Sequence, residues 1–133
     1  MPNCAVIDIG SNAIRLQVAR ILGSGPHEIL CEERKPVRLG ERVFLTSELD
    51  NAAVLRAIDA LKYLKEVTAV YQAELVRVVA TSAVREASNA VEFVRQVQES
   101  TGLQVEVISG REEARLTAFR SEERRVGKEC RSR

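Results

Sequence analysis

Residues 4–21 read CAVIDIGSNAIRLQVARI, and the reading of this stretch decides the fold. Two apolar, β-prone runs, Ala5–Ile9 and Ala13–Leu22, flank Gly10-Ser11-Asn12, a strong signal for a hairpin. Asp8 interrupts the first run. Burying an uncompensated carboxylate costs several kcal/mol or drives it neutral. Either Asp8 bonds the turn backbone or it serves a ligand, and the segment alone leaves both open.

Working outward, Gly23-Ser24-Gly25-Pro26 is a second turn and Glu28–Leu39 a third expected strand. Ser47-x-x-Asp50 has the form of a capping box, and Val54, Ile58, Leu61 and Leu64 recur at helical spacing behind it. Leu75–Ala80 is short, β-branched and nearly all apolar, as expected of a strand covered on both faces. Asn89, with Glu92 three residues on, opens a second helix whose stripe is Ala90, Phe93, Val94 and Val97, and Gly102 stops it. Leu103–Ile108 alternates as a strand, and Ser109-x-x-Glu112 caps a third helix. The order β-β-β-α-β-α-β-α predicts a mixed five-stranded sheet carrying helices, an α/β fold. It resembles the ribonuclease-H-like half-domain of the actin, sugar-kinase and heat-shock chaperone ATPases. There is no internal repeat or low-complexity segment.

At 133 residues the chain is the size of one domain, and 45% hydrophobic with 29% charged residues is ordinary for a soluble globular protein. Aromatics make up only 4% and Trp is absent, which counts against a base-stacking surface. No apolar run approaches a membrane span, and the N-terminus lacks the pattern of a signal peptide. Cys4, Cys31 and Cys130 form no C-x-x-C pair, so neither a disulfide framework nor a zinc site is expected. A cytoplasmic setting fits, with no nucleic-acid and no membrane partner.

From Arg120 the chain reads RSEERRVGKECRSR, with Val126 as its one aliphatic residue and no apolar period. A solvated tail or a basic nucleic-acid arm would both account for it. A third reading is favoured, because the string resembles the conceptual translation of a short-read sequencing adapter. The expected division is therefore residues 1–119 as a lobe and 120–133 as a non-native tail. Setting aside the tail's six basic and three acidic residues leaves 14 against 16, so the net charge falls from +1 to −2. No basic patch then remains to argue for nucleic acid.

Three segments could carry chemistry. The Gly10-Ser11-Asn12 turn gathers backbone N–H groups and short polar side chains, which suits a phosphate oxygen, and Asp8 beside it suits a hard cation. In VVATSAVREASN, Thr81 and Ser82 end a buried strand and Arg85 follows among small residues, where a guanidinium could clamp phosphate or merely pair with Glu86. In VISGREEARL, Glu112 is taken up by the capping box but Glu113 is not. Glu113 has the chemistry of a general base, or of a carboxylate drawn to a helix N-terminus. Each segment follows a strand, so their tips could meet at one edge of the sheet.

DIGSN, ATSAVREASN and ISGREEARL, in this order and spacing, resemble the exopolyphosphatase / guanosine pentaphosphate phosphohydrolase family (Ppx/GppA) over residues 4–119. The resemblance implies Mg²⁺-dependent in-line hydrolysis releasing the terminal phosphate of inorganic polyphosphate or of pppGpp. Asp8 would lie near the metal, and Gly10, Ser11 and Asn12 would form the phosphate loop. Arg85 would hold the scissile phosphate and Glu113 would activate water. A homodimer of the full-length form is also implied. The family's second, DIGGGS-type phosphate loop does not occur in this chain, so the 133 residues as written are expected to be inactive. The runner-up is an actin-like ATP-dependent kinase of the sugar-kinase type, which shares only the first loop. A non-catalytic half-domain that binds a nucleotide or partner is the reading of a different class.

Overall fold

The computed structural model describes residues 2–22 and 27–109. Strands β1 (Asn3–Ile9), β2 (Ala13–Arg20), β3 (Glu28–Pro36), β4 (Leu75–Ala80) and β5 (Val105–Val107) form one sheet in the order β3-β2-β1-β4-β5. β1 runs antiparallel to β2 and β2 to β3, whereas β1 and β4, and β4 and β5, are parallel. This is the mixed five-stranded α/β sheet expected from the sequence. The helix expected after Ser109 lies outside the described residues, as do the turn at 23–26 and the tail.

Period-two alternation sorts the strands into two faces. Ala5, Ile7 and Ile9 on β1 and Ile14, Leu16 and Val18 on β2 are buried, while Val6 and Arg15 between them are exposed. Helices α2 (Asn51–Val70) and α4 (Ala90–Thr101) cover the buried face, α2 packing on β2 and both helices on each other. Ala53, Val54, Ala57, Ile58, Leu61, Leu64 and Val67 form the buried stripe of α2, and Phe93 and Val97 that of α4. Gly102, at φ 79°, closes α4 as expected, and the Lys65 ammonium on α2 donates to the Thr101 carbonyl.

Several local expectations are corrected. Asp50, not Ser47, is the N-cap of α2, its carboxylate accepting from the Ala53 N–H at 3.4 Å. Ser47 instead ends α1 (Val43–Thr46) at φ 62°. Asn89 places no side-chain cap on α4, because its amide is used elsewhere. β3 stops at Pro36 rather than Leu39. Val37 and Leu39 are indeed buried, but the chain turns inward after the proline, so the apolar run ends in core packing instead of strand pairing. A 3₁₀ turn (Leu39–Glu41) and the short helix α3 (Ser82–Glu86) have no strong period and were not expected.

Phe93 is 1% exposed and sits in the shared core of sheet and helices. Phe93→Ala is expected to lower unfolding free energy by about 3–5 kcal/mol, measured as a shift in the urea midpoint at unchanged slope.

Candidate phosphate site at the ends of the parallel strands

Ile9, Ala80 and Val107 stand in one transverse row of the sheet. The chain therefore leaves β1, β4 and β5 at the same end, the end where ligands gather in open α/β sheets. Two bonds knit this rim. The Thr81 N–H donates to the Ile9 carbonyl at 3.1 Å, and the Ile108 N–H to the Ala80 carbonyl at 3.0 Å.

The turn after β1 is closed by the Gly10 N–H donating to the Ala13 carbonyl at 3.0 Å. A methyl group at position 10 would come within 3.2 Å of that same oxygen. The two carbonyls at the tip are both occupied. Ser11 C=O accepts from the Gly40 N–H at 2.9 Å, and Asn12 C=O accepts from the Val37 and Arg38 N–H groups at 3.1 and 3.0 Å. In a trans peptide the C=O of one residue and the N–H of the next point in opposite directions. Tying the Ser11 carbonyl to Gly40 therefore aims the Asn12 N–H the other way. Among the described residues neither the Ser11 nor the Asn12 N–H has an acceptor. The tip is left with two backbone donors unmatched and its two carbonyls satisfied, the polarity an anion requires.

Asp8 lies one residue before this turn's strand end, half-buried, with its Oδ1 shielded from solvent. Its cross-strand neighbours are Arg15 on β2 and Val79 on β4. A shielded carboxylate at the rim has the hardness a divalent cation prefers. No group of three His, Cys, Asp or Glu gathers among the described residues.

Arg85 rides on α3, directly after β4. Its Nη1 donates to the Ile108 carbonyl at 2.9 Å, and its Nε lies 3.9 Å from the exposed Glu86 carboxylate. The backbone anchor on the end of β5 holds the guanidinium at the same rim as the turn, whereas the Glu86 contact is long and solvated and contributes little. Glu112 and Glu113 lie outside the described residues.

The sequence model of the Ppx/GppA phosphatase family matches residues 17–124. This chain belongs to the Ppx/GppA family. The Ppx/GppA match begins after the Asp8–Asn12 segment and runs five residues past Phe119. Among solved structures, the Ppx/GppA family member of Aquifex aeolicus is 36% identical, with a TM-score of 0.82 over 89% of this chain and 40% of that one. An exopolyphosphatase from Cytophaga hutchinsonii is 32% identical, with a TM-score of 0.80 over 86% of this chain and 36% of that one. The chain thus spans about two-fifths of the length of these Ppx/GppA relatives.

Two elements of the site were not read from the sequence. One is the backbone clamp of residues 37–40, for which the only signal was a glycine directly after an apparent strand, a hint of close approach. The other is the use made of Ser88 and Asn89. The Asn89 amide accepts from the Leu49 N–H at 2.8 Å and donates to the Leu49 carbonyl at 3.2 Å, as a neighbouring strand would. The Ser88 N–H and hydroxyl both donate to the Ser47 carbonyl. Asn89 so fastens the loop between α1 and α2 to the segment that follows Arg85. Asn89→Ala should cost about 1–3 kcal/mol of stability in urea unfolding, since it strips both partners of a part-buried backbone unit. Asn89→Asp, which keeps the acceptor, should cost less.

Proposed function

We propose that this lobe contributes the first phosphate-binding half of a hydrolase that releases terminal orthophosphate from inorganic polyphosphate or pppGpp in the cytoplasm. The observation that carries the reading is the donor-only turn at Ser11 and Asn12, standing on the same rim as the backbone-anchored Arg85. The N–H groups and side chains of Gly10-Ser11-Asn12 would hold phosphate oxygens, and Arg85 would hold the scissile group through its planar fork. Glu113 would orient and deprotonate the attacking water. Asp8 would be one ligand of Mg²⁺, sharing it with groups outside the described residues. That ion would neutralise the charge on the transferring phosphoryl group. Residues 1–119 would form this lobe and 120–133 a tail foreign to it, with the second phosphate loop on another lobe. The assembled enzyme would be a homodimer.

On this reading the 133-residue chain alone releases no orthophosphate from polyphosphate or pppGpp above a blank containing Mg²⁺; robust turnover would overturn the two-lobe proposal. In a protein carrying both lobes, Glu113→Gln should cut kcat by about 10²–10⁴-fold while leaving substrate affinity near its starting value. A parallel loss of binding, with kcat preserved, would instead mark Glu113 as a binding group.

A further inference from the structure

Gly40 is held between the phosphate turn and the helix that carries Arg85. A Cβ built on it would stand 2.9 Å from the Ser11 Cβ, 3.4 Å from the Ser11 Oγ and 3.5 Å from the Ala83 Cβ. The first distance is closer than real carbon atoms approach, and its target is the root of a side chain, which moves only with its backbone. Ala83, which is 1% exposed on α3, would already be in van der Waals contact with the added carbon. The same residue's N–H makes the 2.9 Å bond to the Ser11 carbonyl. Its neighbour Arg38 is kept at φ 53°, a left-handed conformation unusual for a residue with a side chain, by the 3.0 Å bond from its N–H to the Asn12 carbonyl. The segment meets the turn through backbone, and the Arg38 side chain lies exposed.

We infer that Gly40 is a positioning residue for the phosphate turn. Its missing side chain lets the 3₁₀ turn sit close enough to capture the Ser11 carbonyl, and that capture aims the Asn12 N–H at the ligand. It also sets the distance between the turn and α3, hence between the two groups that would grip one phosphate chain. A side chain at position 40 changes no residue of the site, yet it displaces the turn from α3 and misdirects the donor. The inference rests on the phosphate reading of the turn and adds to it the device that orients it.

The test is an amide-resolved NMR titration of this chain with inorganic tripolyphosphate. In the wild-type chain the Ser11 and Asn12 amides should shift saturably. In Gly40→Ala the same shifts should need about tenfold more ligand, the cost of one misaligned hydrogen bond to a charged acceptor, while Ile7 and Leu16 in the core keep their positions. Leu45→Ala, at an exposed side chain of α1 outside the clamp, should bind within about twofold of wild type. Gly40→Ala binding as tightly as wild type, or Leu45→Ala losing as much as Gly40→Ala, overturns the inference and leaves the phosphate site standing. No saturable shift in the wild-type chain defeats the phosphate reading itself. If Gly40→Ala is too unstable for the assay, the titration is repeated in an osmolyte that favours the folded state, with shifts read on the folded population alone.

Discussion

β1 is the strand on which the rest of the molecule depends, because it is paired on both sides and in opposite senses. Its antiparallel partner β2 returns through a two-residue tip, which forces Ser11 and Asn12 to protrude at the sheet end. Its parallel partner β4 brings a second chain exit to the same end, since parallel strands share their direction. β5, parallel to β4, adds a third. The convergence of the turn and Arg85 at one rim is thus a consequence of strand direction. The hydrophobic core enforces it, for a one-residue slip of β1 would carry Ala5, Ile7 and Ile9 to the outer face.

Backbone groups do much of the work at that rim. The carbonyls of Ser11 and Asn12 are consumed by residues 37–40, the Ile9 carbonyl by Thr81, and the Ile108 carbonyl by the Arg85 guanidinium. The proposed phosphate site would gain from this economy, since exposed carbonyls repel an anion that N–H groups attract. The same pattern explains why short polar residues recur at the exits of β1 and β4. Thr81 continues the ladder through its N–H, with its hydroxyl 3.5 Å from the same carbonyl, and Ser88 and Asn89 stand in for strand partners where no strand runs.

How much of this was legible in the sequence depends on the length of the signal. The hairpin and the long α2 stripe each repeat a period over many residues, and both were read. β4 was read as a strand, but the cover expected on both faces holds only for Val78, Val79 and Ala80, while Leu75 and Arg77 are exposed. Ser47 and Asn89 were misread as caps because a short polar residue before an apolar run has the same appearance whether it bonds its own helix or a distant loop. The deciding partners, Ser88 for Ser47 and Leu49 for Asn89, lie 41 and 40 residues away in the chain. The clamp at residues 37–40 had the weakest signal. Its bonds are made by N–H groups that every residue but proline possesses, so composition says nothing about where they point.

The sequence by itself determined the order of the five strands and the two long helices, the buried stripe of those helices, and the residue types offered to a phosphate and its cation: a glycine-led polar turn, an arginine after a strand, and a carboxylate inside a strand. These follow from local periodicity and side-chain chemistry, which need no knowledge of distant neighbours. Only the tertiary structure decided that the turn's acceptors are silenced while its donors stay open, that Arg85 hangs from the end of β5, and that Gly40 sits where no side chain fits. Those facts depend on the direction of individual backbone groups between segments far apart in the chain, and direction is settled only when the sheet and its helices close on one another.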